Sequence, residues 1–225
     1  MQLDALRDRA HHAVTQQDTD EGSDEGRADL WLRIGGLYET RLRDMDAAFS
    51  AFAKAVEALP SDDSAREALS RLSTGRDPLR KRRAQVLELA LQKTQDPEVL
   101  IDLLIELGEL MLDHLQDRVG AERCYTRLCE LAAGRDDIVL KAARALERIH
   151  THSGDHAALA QDLMRQVELE FDAEVQEQLL FRLAELYERK LFDSKSAIEA
   201  QRKRLEIDPN RVDALRALER LYEVE

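Results

Sequence analysis

Apolar residues recur along this chain at steps of three and four: Leu100, Leu103, Leu104, Leu107, Met111 and Leu115 fall on one side of a helix. Strand-like alternation is nowhere sustained. Short polar or glycine- and proline-bearing stretches interrupt the stripes, at Pro60-Ser61-Asp62, Gly75-Arg76-Asp77-Pro78, Asp96-Pro97, Gly134-Arg135-Asp136, Ser153-Gly154-Asp155 and Asp208-Pro209-Asn210. Between these breaks the pattern predicts about twelve helices, hence an all-α chain. One segment differs from the rest. Asp18 to Gly26 is acidic, holds two glycines and carries no apolar side chain, so a loop is predicted over 18–28, following a first helix over 1–17.

The pattern also repeats on a longer scale. Trp31, Ile34, Gly35 and Tyr38 align with Leu104, Leu107, Gly108 and Met111, and again with Leu180, Leu183, Ala184 and Tyr187; the small residue recurs after 73 and then 76 positions. Downstream, Ala48, Phe52 and Pro60 are matched by Ala121, Tyr125 and Ala133 and by Ala197, Gln201 and Pro209, with the same spacing inside each set. Weaker units stand between the strong ones, beginning at Arg66, Ala143 and Leu215. The alternation predicts a four-helix block of about 75 residues. The blocks run 29–95, 96–172 and, incompletely, 173–225.

Trp31, Ile34, Gly35 and Tyr38, followed by Ala48, Phe52 and Pro60, resemble the tetratricopeptide repeat, with isoleucine at a leucine place. Gln201 and Ala133 depart from that pattern at the aromatic and proline places. The resemblance covers most of residues 29–225 and implies a right-handed α-α superhelix, a solenoid of antiparallel helical hairpins. Small residues at 35, 108 and 184, opposite Ala48, Ala121 and Ala197, would let paired helices approach closely. Each strong hairpin carries one residue more than the commonest repeat, in Arg43-Asp44-Met45, Gln116-Asp117-Arg118 and Phe192-Asp193-Ser194, and the aspartate in each is read as the N-cap of the second helix.

Composition narrows function. Of 225 residues, 44% are hydrophobic and 35% charged, which suits thin stacked layers rather than a thick core, and the net charge of −13 opposes nucleic-acid binding. No apolar run is long enough to cross a bilayer and the first residues lack the apolar core of a signal peptide, so the reading is a cytoplasmic chain without membrane partners. Cys124 and Cys129 are read as small core residues.

Catalytic motifs are absent: there is no phosphate-binding glycine loop, H-E-x-x-H, G-x-S-x-G or C-x-x-C. No enzyme activity and no cofactor are expected. His150, His152, Asp155 and His156 could be imagined as a metal site; the blander reading has His150 packed in the place of Tyr222 and the others in a solvated turn. Ser153, Asp155 and His156 are too near in sequence to converge as a triad. The basic run Arg76, Arg80, Lys81, Arg82 and Arg83 is read as a solvated helix face, and His11 and His12 as surface residues.

In the resembling family the first helix of each hairpin lines a concave groove, so the outward face of those helices is the candidate site. In the strong units it presents Leu32, Gly36 and Glu39, then Ile105, Glu109 and Leu112, then Phe181, Glu185 and Glu188. Glu67 and Arg71, Arg144 and Arg148, and Arg216 and Arg220 occupy it in the weak units. A protein or peptide held there, with Phe181 and Ile105 as anchors and the arginines meeting its carboxylates, is one reading. The other has the apolar residues packing on neighbouring hairpins. Three roles follow: an interaction scaffold, a structural spacer that self-associates through terminal helices exposing Leu215, Leu218 and Leu221, or an accessory arm of an enzyme encoded elsewhere on a longer chain.

Overall fold

The computed structural model describes residues 23–224, so the helix expected over 1–17, with His11 and His12, lies outside the described residues. Its contacts divide it into two compact units, Met1–Asp117 and Arg118–Glu225. Unit 1 holds helices α1 (Asp24–Leu37), α2 (Met45–Ala58), α3 (Asp63–Ser73), α4 (Asp77–Lys93) and α5 (Pro97–Glu109). Unit 2 holds α6 (Arg118–Leu131), α7 (Asp136–Ser153), α8 (His156–Leu169), α9 (Ala173–Leu186), α10 (Ser194–Ile207) and α11 (Val212–Val224). No strand occurs among the described residues. Inside each unit, helices consecutive in sequence pack on one another.

Aspartates start most of these helices. The carboxylates of Asp44, Asp155, Asp172 and Asp193 accept backbone N–H groups of the following first turn, from Ala47 at 3.0 Å, Ala158 at 3.0 Å, Glu174 at 2.8 Å and Ser196 at 3.1 Å. The N-caps expected at Asp44 and Asp193 are thus in place. The acidic loop expected over 18–28 ends earlier than its composition suggests. Ser23 Oγ accepts the Gly26 N–H at 3.2 Å, and Asp24 and Glu25 form the first turn of α1. Carboxylates favour that position because the amino end of a helix carries partial positive charge.

The extra residue in each strong hairpin has a definite structural home. α1, α5 and α9 each run into a π-helical turn, Tyr38–Leu42, Leu110–Leu115 and Tyr187–Leu191. Each turn closes on a residue in the left-handed region, Arg43 at φ 53°, Gln116 at φ 56° and Phe192 at φ 54°. The next amide reaches back six residues: Asp44 N–H to Tyr38 O at 3.0 Å, Asp117 to Met111 at 2.9 Å and Asp193 to Tyr187 at 3.0 Å. A π turn takes up one residue while keeping its hydrogen bonds, so Asp44 and Asp193 after it still cap the second helix.

The core is aliphatic with a few aromatics. In unit 1, Phe49, Leu69, Leu87, Leu103 and Leu107 are fully buried; in unit 2, Leu163, Leu180 and Leu183 pack with Leu159, Val167 and Leu179. Each such side chain contributes roughly 1.5–3 kcal/mol when fully buried. The close approach expected at Gly35 is present, but the residue that fills it is Phe52, not Ala48. A Cβ on Gly35 would stand 2.5, 2.6 and 2.8 Å from three Phe52 ring carbons. Where Ala184 supplies that Cβ in the third strong repeat, the aromatic place holds Gln201. That departure is compensated by volume. In α11, Leu218 and Leu221 are buried against Ala197 and Ile198 of α10, so the apolar surface exposed there reduces to Val212, Leu215 and the ring of Tyr222.

Candidate partner-binding site

In unit 1, Leu32 and Ile105 are half-buried, and Leu112 is 8% exposed and offers no surface. The acidic and basic stripes, both read as turned toward a partner, meet each other instead. The guanidinium of Arg71 grips both carboxylate oxygens of Glu39, with Nη2 to Oε2 at 2.9 Å. That hydrogen bond, against the cost of burial, holds the Glu39 carboxyl below the usual range. In unit 2, Arg220 Nη2 donates to Glu188 Oε1 and Oε2 at 2.8 and 2.9 Å, and Arg144 Nη2 to Glu170 Oε2 at 3.0 Å. The bidentate Arg71–Glu39 pair orients that arginine and occupies its fork, while Arg220 and Arg144 engage their glutamates through Nη2 alone. Glu185 is ion-paired at 3.0 Å with Arg189 in the π turn that follows its helix, and Arg148 and Arg216 are exposed. Glu109 is likewise exposed.

Phe181 is the most elaborated position of the set. Its ring is 39% exposed at the rim of a cavity of about 420 Å³ lined by α9, α10 and the start of α11. Behind the ring, the Arg204 guanidinium stacks 4.7 Å from its centroid. Arg204 is 2% exposed, and every arm of its fork is held. Nε and Nη2 donate to Glu177 Oε1 at 2.8 and 2.7 Å, Nη1 to Gln201 Oε1 at 2.8 Å, and Nη2 also to Asp213 Oδ2 at 2.7 Å. Arg211 Nη2 stands 3.0 Å from Glu177 Oε2. The Arg204 hydrogen bond pulls the Asp213 carboxyl below its ordinary value. Phe181 is therefore an aromatic platform, its ring stacked on the buried Arg204, whose fork is held by Glu177, Gln201 and Asp213.

Unit 1 has a second cavity, of about 300 Å³, between α3, α4 and α5. Arg66 and Arg83 form its floor, with side chains 8% and 11% exposed. Arg83 Nη2 donates to Glu106 Oε1 at 2.5 Å, and Arg66 Nη2 reaches Asp63. Within the basic run, Arg83 is thus largely buried, whereas Arg76, Lys81 and Arg82 lie exposed, as a solvated helix face requires. Arg82 donates to Ser50 Oγ at 3.0 Å and covers the Phe49 ring at 4.7 Å, and Arg80 donates to Asp77 at 2.8 Å.

His150 is buried, as expected, but paired: Nδ1 lies 2.5 Å from Asp162 Oδ2 and Nε2 lies 3.5 Å from Glu122 Oε1. Burial opposes its positive charge, yet the bonds and charges of Asp162 and Glu122 outweigh this and raise its pKa above 6.5. Burial also raises the Asp162 carboxyl. The nearby Ser153 hydroxyl donates to the His150 carbonyl at 3.2 Å rather than to the imidazole. Asp155 caps α8, and His152 is exposed. Among the described residues no group of three or more His, Cys, Asp or Glu side chains is placed to hold a metal ion, and no helix is long and apolar enough to cross a membrane. Cys124, buried, and Cys129, half-buried, are not joined in a disulfide. Burial pushes the Cys129 thiol up.

The residues that helical periodicity did not single out are the buried ones: Glu177, Gln201, Arg204 and Arg66. Two signals were available, since Gln201 stands at an aromatic place and Arg66 at the place of Trp31, Leu104 and Leu180. A polar residue at an apolar repeat position marks a buried polar contact.

Compared with known sequences, the tetratricopeptide-repeat family profile matches residues 28–62 and 177–211. No curated protein matches. Among solved structures, the fold is similar to YrrB, described as a tetratricopeptide-repeat protein with an unusual peptide-binding site, at 17% identity and TM-score 0.45 over 92% of this chain and 96% of that one. It is also similar to MamA, at 16% identity and TM-score 0.43 over 83% and 94% of the two chains. BtubC from P. vanneervenii aligns at 15% identity and TM-score 0.43 over 92% and 90%.

Proposed function

We propose that this chain, which is an array of tetratricopeptide repeats, is a non-catalytic scaffold that holds a partner protein or peptide against the first helices of its hairpins. The observation that carries the reading is Phe181. A large aromatic ring kept 39% exposed costs solubility unless something covers it, and here a buried arginine, two buried acceptors and Asp213 are spent on fixing its orientation. Rigid aromatic anchors lose little entropy on binding, and a pre-set ring beside a cavity of about 420 Å³ suits an apolar side chain of a partner. Ile105 and Leu32 are lesser anchors in unit 1, half-buried and framed by Glu109 and by the Glu39–Arg71 pair. With Arg71, Arg144 and Arg220 engaged by their own glutamates, the partner's specificity comes from shape at the anchors and from those ion pairs opening or staying shut.

The test is a spotted library of 15-residue peptides probed with the wild-type chain and with Phe181→Ala. Helicity of both is checked first by circular dichroism. A set of sequences with spaced apolar residues, bound by the wild type and lost from the variant, is the expected result. An identical set for both, or no binding by the wild type, overturns the assignment of the anchor.

A further inference from the structure

We infer that the cavity at Phe181 takes Phe171 of a second copy of this chain, an aromatic knob flanked by carboxylates entering a pocket lined by guanidiniums. The inference names the partner of that cavity and rests on the anchor assigned to Phe181.

The knob is an exposed ring on a fixed connection. Phe171 is 90% exposed, more than any other large apolar side chain among the described residues, and it stands between α8 and α9 in the three-residue connection 170–172. That connection is tied on both sides. Glu170 Oε1 accepts the N–H groups of Phe171 and Asp172 at 3.1 and 3.3 Å, Arg144 holds the other Glu170 oxygen, and Asp172 caps α9. An apolar residue just before an N-cap often packs on the fourth residue of its helix. Here that residue is Gln176, whose amide is turned to the Val167 carbonyl at 2.8 Å, so α9 offers the ring no apolar cover. The matching place before α5 holds Gln95. A large aromatic displayed in this way suits insertion into a neighbour.

The hole lies in the same unit, and its chemistry is complementary. Arg182, Arg204 and Arg211 line the cavity of about 420 Å³ with Glu177 and Asp213, an excess of cation in a chain whose net charge is −13. The side chains of Arg182 and Arg211 are 48% and 41% exposed. The segment Glu168–Glu174 carries carboxylates at 168, 170, 172 and 174 and no cation, and Glu168 and Glu174 are exposed on either side of Phe171. Charge of opposite sign around knob and hole sets the register of such a contact, and two phenylalanine rings gain from offset or edge-to-face packing beyond the area they bury. In its own chain Phe171 lies outside the lining of the cavity, so the match is made between copies. The net charges of two copies repel, but the Debye length at physiological salt is about 8 Å, which screens that repulsion at distance and spares the close contacts.

Sedimentation velocity of the whole chain at physiological salt, over a thousandfold range of concentration reaching the millimolar, reads the association. The mass of the wild type is expected to rise with concentration. Phe171→Ser, which touches no core contact, and Phe181→Ala, matched to wild type by circular dichroism, are each expected to weaken association at least tenfold. Phe192→Gly removes a phenylalanine almost as exposed, at 83%, outside both knob and hole, and is expected to leave association within twofold. Mixing the Phe171→Ser chain, which keeps the hole, with the Phe181→Ala chain, which keeps the knob, is expected to give a one-to-one complex at concentrations where neither associates alone. A wild type that stays monomeric, an equal loss in Phe192→Gly, or a mixture that recovers nothing overturns the inference. A monomeric chain that still selects peptides through Phe181 sinks this inference and spares the anchor; a chain that neither associates nor selects peptides sinks both.

Discussion

Replacing Gly35 by alanine tests the packing of the first hairpin in a way that fixes the sign of the result. In an open helix interior, glycine to alanine stabilises by about 1 kcal/mol. Here the new Cβ would lie 2.5–2.8 Å from three ring carbons of Phe52, against a comfortable carbon–carbon separation of about 3.5–4.0 Å. Phe52 is buried and cannot swing clear, so α1 and α2 must part by about an ångström or the ring must leave its rotamer. Overpacking of this kind costs about 1–3 kcal/mol, which outweighs the gain in propensity. The net loss expected is about 1–2 kcal/mol, or a fall in Tm of roughly 2–8 °C for a chain of this size. Trp31, the only tryptophan, lies in α1 one turn before Gly35, half-buried beneath the Lys54 ammonium 4.2 Å from its ring. Its fluorescence during urea unfolding therefore reports unit 1 directly. In a Phe52→Leu background the same glycine substitution is expected to be neutral or stabilising, giving a coupling of about 1–3 kcal/mol. A Gly35→Ala chain more stable than wild type, by the amount helix propensity alone supplies, would refute the contact.

Other outcomes follow from the same geometry. Glu177→Ala leaves the buried Arg204 guanidinium on Gln201 and Asp213 alone and is expected to destabilise unit 2 by about 3–5 kcal/mol, whereas Glu177→Leu with Arg204→Met is expected to be far milder; a single variant within 1 kcal/mol of wild type by urea melt contradicts the cluster. Because the folded state raises the His150 pKa above 6.5, the stabilisation it supplies is complete below that pH and is lost as pH rises through the raised value. Denaturation midpoints should fall with rising pH across that window, and His150→Gln should remove the fall. Phe192→Gly, at an 83% exposed residue held at φ 54°, is expected to stabilise by several tenths to about 1 kcal/mol in thermal melts, and a loss of stability would deny that the turn strains this residue.

Much of the fold was legible because its signal is periodic. The breaks, the 73- and 76-residue recurrences and the acidic caps at Asp44 and Asp193 all follow from spacing and local chemistry. The site was less legible, for a physical reason. A helical wheel tells which way a side chain points but not which neighbouring helix answers it. Arg71 and Arg220 were assigned to a partner's carboxylates, yet each finds a glutamate 32 residues earlier, one hairpin away. Burial is equally invisible to the wheel: Leu112 falls on the outward face by periodicity, and the chain covers it nonetheless. The acidic stretch before Arg27 reads as loop by composition, although Ser23 and the helix dipole suffice to start α1 within it.

The π turns also carry a genealogy. One occurs after α1, after α5 and after α9, always ending at the same offset from the small residue, and the described weak repeats, which lie in α3, α7 and α11, have none. Three separate insertions landing on the same register is a poor account of that distribution. A single insertion, made in an ancestral pair of hairpins before that pair was copied, accounts for it with one event. The extra residue thus marks which hairpins correspond in register: α1, α5 and α9 match one another, not the helices beside them.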